Sequence, residues 1–396
     1  MTKGGYLSVL KTMLSTRKLQ ILAAAIFAAL LLVILVARNS KPSGPVIPTE
    51  PGWHHIEDVT YYIMEDGTPA TGWQKIDGNT YYFRSAGSMV TGWLILNDRN
   101  YYFLKDGTAA SGPVTIGNDL YIFHEDGIPA TGWTLHEGRS LYLDSHGKVL
   151  TGWQTIGQIL YYFGQDGLPC PGWLKENGKT YYIHQDGTTA QGRNIIDGQV
   201  HYFGPNGQEI ILVNPWNYVP ADYTVELTDI NADHQVATLA YEDLQQMMTD
   251  CKLDGGDPVV CSGYRTQEYQ EMLYNNKVKR LTATGMKKDK AQKEAATVVA
   301  LPGTSEHQLG LALDIIDRHD QSLTKAQEKT ATQQWLMANS WKYGWILRYP
   351  NGKSDITGII YEPWHYRYVG REIAQEIHES GLCLEEYLDN LTSTVG

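Results

Sequence analysis

Three side chains in the second half of the chain have the types and spacing of metal ligands. His307 and Asp314 lie seven positions apart, and His365 follows further along the sequence. A catalytic zinc ion takes three protein ligands of the histidine and carboxylate kind and keeps a fourth position for water. Glu362, close to His365, is then free to take a proton from that water, because zinc lowers the pKa of bound water to about 7. These residues indicate a zinc-dependent hydrolytic site.

Asp314 strengthens this interpretation because it lies inside the apolar run of residues 311–316. A bare carboxylate buried there would be costly, so we expect Asp314 to be paired or metal-bound. A histidine and an aspartate at this spacing also occur by chance in many proteins, and a lone histidine is more often a core or surface residue. The residues taken alone therefore leave a purely structural role open.

The elements that must position these residues belong to an α+β domain, which we assign to residues 212–396. Apolar residues at helical spacing alternate with short β-branched or apolar runs. About 180 residues of this kind are enough for a core of their own. The predicted helices cover residues 237–251, 267–279, 287–298, 332–342 and 369–379. The predicted strands cover residues 258–264, 311–316 and 345–349.

A repeat of twenty residues fills the first half of the chain, over residues 52–211. Each unit carries a Gly-Trp pair or its remnant in a short strand, then a polar turn such as Asp77-Gly78, and then an aromatic strand such as Tyr81-Tyr82-Phe83. Asp-Gly and Asn-Gly supply the positive φ angles that hairpin turns need. A lone hairpin of this length is marginal in water, so neighbouring units must stack. We predict an all-β solenoid of hairpins.

The N-terminal region predicts a membrane anchor. Residues 21–37 carry no charge, four basic residues precede them and two closely follow. The positive-inside rule then gives a cytoplasmic tail over 1–18, a transmembrane signal anchor over 19–38 and everything beyond it outside the cell. Residues 39–51 read as a linker. A cleaved signal peptide is the alternative, although the run ends in a poor cleavage site.

The net charge and the cysteine content limit the partners and the kinds of site that the protein can have. The net charge of -12 argues against a nucleic-acid partner. The four cysteines would face an oxidising exterior. Cys251 and Cys261 flank a short turn and could form a disulfide, although the other connectivities of four cysteines remain open. The chain has no Cys-x-x-Cys pair, so a cysteine zinc site is not expected.

From about residue 212 to 386 the chain resembles the VanY-type zinc D-alanyl-D-alanine carboxypeptidases. The family reads Ser-x-His, six residues, Asp, and later Glu-x-x-His with Trp before the second His. The matching residues here are Ser305, His307, Asp314, Glu362, Trp364 and His365. The resemblance implies one zinc ion held by the two histidines and the aspartate, with Glu362 as general base and then acid.

The same resemblance suggests the residues that contact the substrate. The family has a Ser-x-Tyr-Arg element, whose Arg neutralises charge on the substrate, and Arg265 with Ser262 matches it. A guanidinium facing a carboxylate or a developing oxyanion is consistent with that role. Gln270, Ser305 and Tyr361 match further family contacts.

The repeats resemble the choline-binding and glucan-binding cell-wall repeats of Gram-positive surface proteins. In that family aromatic rings form cages for a quaternary ammonium, which cation–π attraction favours. Two candidate groups of rings follow from the resemblance. They are Trp73, Trp93, Tyr82 and Tyr102, and then Trp153, Trp173 and Tyr162. Pro113 and Arg193 break the pattern and should remove the cages beside them. Part of these rings could instead serve only as the solenoid core.

The sequence thus predicts a cell-surface zinc D,D-carboxypeptidase, anchored in the membrane, that trims D-alanine from peptidoglycan stem peptides. The repeats would hold it to a wall polymer, either a choline-bearing teichoic acid or a glycan. An L,D-carboxypeptidase or an endopeptidase acting on muropeptides would use the same metal site. A wall-binding protein with an inert peptidase-like domain is the alternative from another class, and the intact set of ligands and base argues against it.

Overall fold

The computed structural model describes residues 47–391. The chain forms two compact units. The first contains the described residues up to Thr131 together with Leu143–Lys148. The second contains Gly132–Tyr142 and the chain from Val149 onward. The boundary predicted near residue 211 stays a prediction.

The first unit is built from two-stranded antiparallel hairpins, each made of two five-residue strands. Its strands are β1 Gly52–Ile56, β2 Val59–Ile63, β3 Gly72–Ile76, β4 Asn79–Phe83, β5 Gly92–Leu96, β6 Arg99–Phe103, β7 Gly112–Ile116 and β8 Asp119–Phe123. The hairpin turns have left-handed backbone, with φ of 51° at Asp77 and 84° at Gly78. This confirms the turn type predicted from Asp-Gly pairs.

Successive hairpins of the first unit stack on one another. The backbone N–H of Met89 donates to the carbonyl of Thr60, and that of Ala109 donates to Thr80, both at 2.8 Å. Phe83 and Phe103, at equivalent positions in two hairpins, are completely buried. The stacking therefore buries the aromatic face that no single hairpin could cover, as the repeat predicted.

The second unit begins with further hairpin strands of the same length. They are β9 Gly132–His136, β10 Arg139–Leu143, β11 Gly152–Ile156, β12 Ile159–Phe163, β13 Gly172–Glu176, β14 Lys179–Ile183, β15 Gly192–Ile196 and β16 Gln199–Phe203. The prediction that the first half of the chain is an all-β array of hairpins is thus confirmed.

The rest of the second unit is the predicted α+β domain. Its strands are β17 Leu227–Asp229, β18 Gln235–Ala237, β19 Pro258–Ser262, β20 Ala312–Asp317, β21 Trp345–Leu347 and β22 His365–Tyr368. Its α-helices are α1 Thr238–Leu253, α2 Gln267–Ala283, α3 Lys288–Ala296, α4 Ala331–Asn339, α5 Ser354–Thr357, α6 Arg371–Ser380 and α7 Leu384–Asn390. Three 3-10 helices cover Glu306–Leu309, Lys325–Lys329 and Ser340–Tyr343.

An antiparallel four-stranded sheet in the order β19-β20-β22-β21 organises this domain. Strand β20 is buried along its whole length, because it has neighbours on both edges and core on one face. Leu313 and Ile315 of β20 pack with Leu244 and Met247 of α1. The opposite face of β20 carries Asp314. The alternation of a strand thus separates the core from the polar side chains of the site.

The predicted localisation as a single-pass membrane protein is corrected by the structure. Within residues 47–391 there is no helix with the length and apolar character needed to cross a bilayer. The segment to which the span was assigned, residues 19–38, lies outside the described residues.

The predicted disulfide between Cys251 and Cys261 is also wrong, since both cysteines are free. Cys251 packs in the core beside Val260. Cys261 lies at a register shift between Val260 and Ser262, where the regular pairing of β19 with β20 is interrupted. Its thiol instead lies 3.5 Å from the carbonyl oxygen of Asp314. Sequence proximity across the turn did not place the two sulfur atoms together.

Gly344, which leads the chain into β21, is a position where only glycine fits. It has left-handed backbone (φ 82°), and a Cβ there would come within 2.8 Å of the Tyr368 ring and 3.0 Å of the Arg371 nitrogen. We expect Gly344→Ala to lower the free energy of unfolding by about 2–5 kcal/mol, from backbone strain plus overpacking. Urea denaturation measures this loss.

Gly381 provides the matched control, because it is also left-handed (φ 68°) but has open space around its Cβ position. Gly381→Ala should lose only the backbone contribution of about 1–2 kcal/mol. Equal losses in the two variants would show that the close approach at Gly344 is not what requires glycine.

Candidate active site

The central strand of the sheet sets the position of the site. Asp314 on β20 lies opposite Ser262 of β19 on one side and opposite His365 of β22 on the other. The register of three strands therefore brings these residues into one row. His307 reaches the same place from the 3-10 helix Glu306–Leu309, immediately before β20.

Donor atoms of the three predicted metal ligands converge at this row. The Nε2 atom of His307 lies 3.4 Å from Oδ2 of Asp314, and Nδ1 of His365 lies 3.1 Å from Oδ1. One ligand atom from each residue falls within 4.8 Å of the others, and all three residues are buried. Two imidazoles and a carboxylate are the donor set of a catalytic zinc site with an open position, so the residues present fit that metal.

The environment of His307 favours metal binding. Its Nδ1 atom lies 2.8 Å from the carbonyl oxygen of Gly263, which leaves Nε2 facing the aspartate. A carbonyl partner of this kind fixes the tautomer and orientation of a ligating imidazole. Burial lowers the pKa of His307 to about 4, so the ring is neutral, as a metal ligand must be.

Glu362 lies at the edge of this cluster. It is buried, and its Oε2 atom is 3.8 Å from Nδ1 of His365. Burial, together with the Asp314 charge, outweighs the nearby cations and raises the pKa of Glu362 to about 8. A carboxyl group with its pKa near neutrality can both accept and return a proton, which is the property expected of a general base and acid.

Arg265 connects three of the predicted site residues. Its guanidinium donates to Oγ of Ser262 at 3.0 Å, to Oε1 of Gln270 at 3.2 Å and to Oδ2 of Asp314 at 2.8 Å. The amide nitrogen of Gln270 donates in turn to the carbonyl of Ala300. Gln270 is fully buried and helps to hold the Arg265 guanidinium in place, while its predicted contact with the substrate stays a prediction.

Ser305 and Tyr361 complete the predicted set, and each is adjacent to a central residue. Ser305 is buried immediately before the 3-10 helix that carries His307. Tyr361 precedes Glu362 and is partly buried, with the Lys325 ammonium 5.6 Å from the centre of its ring. Burial, with a hydrogen bond to Glu328, raises the pKa of Tyr361 to about 12, so its hydroxyl remains protonated.

Sequence reasoning missed a buried cluster of charges behind the metal ligands. Oε1 of Glu306 accepts from Nε of Arg348 at 2.7 Å and from a terminal nitrogen of Arg367 at 2.8 Å. Arg348 also forms a two-pronged pair with Glu385 at 2.7 and 2.8 Å. These four side chains come from separate elements. No sequence pattern links them, and only the rule that buried charged residues are almost always paired would have suggested that they form pairs.

The repeats carry a second kind of site, made of partly exposed aromatic rings. In the first unit Trp73 lies 5.2 Å from Tyr82 and 5.0 Å from Tyr101, between ring centres. Trp93 lies 5.0 Å from Tyr102 and 5.7 Å from Tyr121. The structure thus divides the first candidate group into two ring sets.

Each ring set draws its third ring from the following hairpin, a contribution that the sequence analysis did not assign. In the second unit Trp153 groups with Tyr162 and Tyr181, and Trp173 with Tyr182 and His201. Trp133, also not named as a candidate, groups with Tyr142 and Tyr161. The constant spacing of the repeat would have predicted the position of this third ring in each set.

A cavity of about 540 Å³ in the second unit is lined by residues other than the metal ligands. Its lining includes Lys175, Glu209, Tyr223, Glu226 and Leu239. The ligand atoms and Glu362 are not part of this lining.

Two family models match the chain. The VanY model, D-alanyl-D-alanine carboxypeptidase, matches residues 233–371. A choline-binding repeat model matches residues 70–112 and 150–190. The first match covers the metal ligands and Glu362, and the second contains two complete ring sets, those of Trp73 and Trp153.

Similar proteins agree with these matches. A D-alanyl-D-alanine carboxypeptidase of Enterococcus faecalis is 46% identical over 180 residues, which are 46% of this chain and 65% of the relative. The bifunctional D-Ala-D-Ala dipeptidase and D-Ala-D-Ala carboxypeptidase VanXYC of Enterococcus gallinarum is 41% identical over 136 residues, 34% of this chain and 67% of the relative. The chain thus spans slightly less than two thirds of the Enterococcus faecalis protein.

Among solved structures, VanYB in complex with D-alanine-D-alanine is 45% identical. It covers 46% of this chain and 97% of its own, with a TM-score of 0.42. The VanY model covers the two histidines, the aspartate and the glutamate of the site. The 41% identity to VanXYC, 67% of which is matched, shows that this chain belongs to the VanY family of D-alanyl-D-alanine carboxypeptidases.

Proposed function

We propose that this protein is a zinc-dependent D,D-carboxypeptidase that removes the terminal D-alanine from peptidoglycan stem peptides. The observation that carries the proposal is the convergence of His307 Nε2, the Asp314 carboxylate and His365 Nδ1, with Glu362 buried beside them. The names of its relatives in the enterococci support the choice of substrate.

His307, Asp314 and His365 would hold the metal. When bound, zinc would supply a Lewis acid that activates water and polarises the peptide carbonyl. Glu362 takes the proton from the attacking water and passes it to the leaving amine of D-alanine. Its burial limits exchange of this proton with bulk solvent, and its raised pKa makes both transfers possible near neutral pH.

Arg265 is proposed to stabilise negative charge on the substrate. Its hydrogen bonds to Ser262 and Gln270 hold the guanidinium in one orientation beside Asp314. A preorganised arginine stabilises a carboxylate or a developing oxyanion without reorganising during the reaction. Ser305 and Tyr361 are proposed to line the place where the peptide binds.

The experiment that tests this proposal incubates the full chain with zinc and with stem peptides of two lengths. Release of D-alanine from a pentapeptide ending in D-Ala-D-Ala, and not from the tetrapeptide, is expected. Release from the tetrapeptide alone would assign an L,D-carboxypeptidase with the same metal site. A folded, zinc-loaded chain that releases nothing from either peptide would contradict the proposed activity.

We further propose that the ring sets bind quaternary ammonium groups of a cell-wall polymer and so hold the enzyme at the wall. The electron-rich faces of Trp and Tyr attract such a cation. The tryptophans remain accessible, with Trp93 42% and Trp133 48% exposed. The match to the choline-binding repeat supports this choice of ligand over a glycan.

A double variant tests the ring sets. Trp93→Ala with Trp133→Ala should release the chain from a choline-bearing resin at a lower choline concentration, because each lost cage removes up to about 2 kcal/mol of cation–π attraction. Ile95→Ala with Leu135→Ala is the matched control, since these exposed aliphatic residues lie on the same two strands. Equal elution of the two double variants would contradict the assignment.

A further inference from the structure

Two buried polar atoms behind the metal ligands face each other without hydrogen-bond partners. They are Oε2 of Glu306 and Nε2 of His365, and the two atoms lie 3.7 Å apart. Leaving a buried donor or acceptor unsatisfied costs free energy, and the cost is larger for a charged group. Because each of the two atoms lacks another partner, a small approach across the 3.7 Å between them would satisfy both.

The carboxylate of Glu306 is held in one orientation by the buried arginines. Its other oxygen, Oε1, accepts from both Arg348 and Arg367, at 2.7 and 2.8 Å. Arg348, Arg367 and Glu306 are almost completely buried. Both arginines therefore occupy the same oxygen, and Oε2 is left to face His365.

The other nitrogen of His365 is the one that faces Asp314. Nδ1 lies 3.1 Å from the aspartate, on the side where the donor atoms converge. If Nε2 carries the proton of the neutral ring, Nδ1 has a free lone pair for the metal. A carboxylate that accepts a hydrogen bond from the remote nitrogen fixes this tautomer and makes the imidazole a better ligand.

We propose that Glu306 is a positioning residue that accepts a hydrogen bond from the Nε2–H group of His365 and so directs Nδ1 toward the zinc ion. This inference rests on the proposed function, because it assumes that zinc binds at His307, Asp314 and His365. Glu306 touches neither the substrate nor the metal. It acts through His365, while the two arginines act through Glu306.

A purely structural role is the competing explanation, in which Glu306 only neutralises the arginines. Glu385 has that role for Arg348, through contacts of 2.7 and 2.8 Å, and it belongs to the same buried cluster. Glu385 pairs with Arg348 and Asn214, on the far side of Arg348 from Glu306. Substitution of Glu385 therefore removes a buried charge from the same cluster without changing the contact with His365, which makes it the control.

The test compares Glu306→Gln with Glu385→Gln in the full chain. Zinc affinity is measured by competition with a chelator, in the absence of substrate, and stability is measured by urea denaturation of the metal-free chains. Glu306→Gln should bind zinc about 10- to 100-fold more weakly, as loss of an outer-shell partner does. Glu385→Gln should bind zinc as the unchanged chain does. Unchanged affinity in Glu306→Gln, or an equal loss in both variants, would overturn the proposal.

If Glu306→Gln does not fold, nitrogen NMR of the unchanged chain tests the proposed hydrogen bond between Glu306 and His365. With 15N-labelled histidine and zinc added, His365 should show a metal-bound Nδ1 and a protonated Nε2 whose proton resonates downfield. Zinc on Nε2, or an Nε2 proton that resonates where a solvent-exposed imidazole N–H does, would overturn the proposal. Both readouts use zinc alone, so a chain that binds zinc but releases no D-alanine would contradict the proposed activity and leave this inference standing.

Discussion

Glu362→Gln should lower kcat for D-alanine release by about 10²- to 10⁴-fold, the usual contribution of a positioned general base. The amide has nearly the shape of the carboxylate but cannot take a proton from water. Glu362 is buried, 3.8 Å from His365, and is not needed as a metal ligand in the proposed site. The variant should therefore bind zinc as the unchanged chain does while it loses the chemical step.

The pH dependence of the rate adds a second readout for Glu362. The base must be ionised to accept a proton, so the rate should rise with pH as Glu362 loses its proton. Burial raises the pKa of Glu362 to about 8. A bound cation favours the carboxylate and lowers this pKa, so the rise should lie below pH 8 in the zinc-loaded chain.

Glu379→Gln is the control for this experiment, because Glu379 is an exposed carboxylate on α6 of the same domain. It should retain both the rate and its rise with pH. A zinc-loaded Glu362→Gln chain that turns over at the unchanged rate, with the rise still present, would remove Glu362 from the mechanism.

His307→Ala should abolish zinc binding at micromolar metal and, with it, D-alanine release. The imidazole supplies one of three protein ligands, and its Nε2 atom is already held beside Asp314 by the contact of Nδ1 with Gly263. Removal of one ligand from a three-ligand site leaves too few donors to fix the metal. Zinc content after gel filtration and the rate with the pentapeptide measure the two losses.

His319→Ala is the matched control, because His319 lies in the same domain with its side chain 81% exposed. Its Nε2 atom lies 3.6 Å from the carboxylate of Asp257, apart from the three ligands. The control should keep its zinc and its rate. Retention of one zinc per chain in His307→Ala would refute the assigned ligand set.

The metal ligands were accessible to sequence reasoning for a physical reason. An aspartate inside an apolar strand needs a partner, and Asp314 proved to lie on the fully buried β20. The strand that carries His365 was not predicted, since its sequence, His-Tyr-Arg-Tyr, has no alternation of apolar and polar residues. All four of its residues are buried, because the arginine is paired in the interior.

The cluster of Glu306, Arg348, Arg367 and Glu385 shows what sequence patterns could not supply. Its members are 37 to 61 residues apart along the chain in the pairs that touch. Charged residues are normally assigned to the surface, and only the tertiary fold reveals which ones are paired inside. The orientation of His365 could therefore not be predicted from the sequence.

The repeats were predictable at the level of each hairpin but not at the level of each ring set. Local turn chemistry and the constant period fixed the strands and turns. The stacking of the next hairpin decides which rings come into contact. It is this stacking that brings Tyr101 next to Trp73. The spacing from each tryptophan to that third ring is the same along the repeat, so its position is readable once one ring set is known.

The central claim is tested most directly by titrating the metal-stripped full chain with zinc while D-alanine release from a pentapeptide ending in D-Ala-D-Ala is measured. The account predicts no release without metal and a rate that rises in proportion to added zinc until one zinc is bound per chain. Release that persists after the metal has been removed, or a folded chain that binds one zinc and stays inactive, would contradict it.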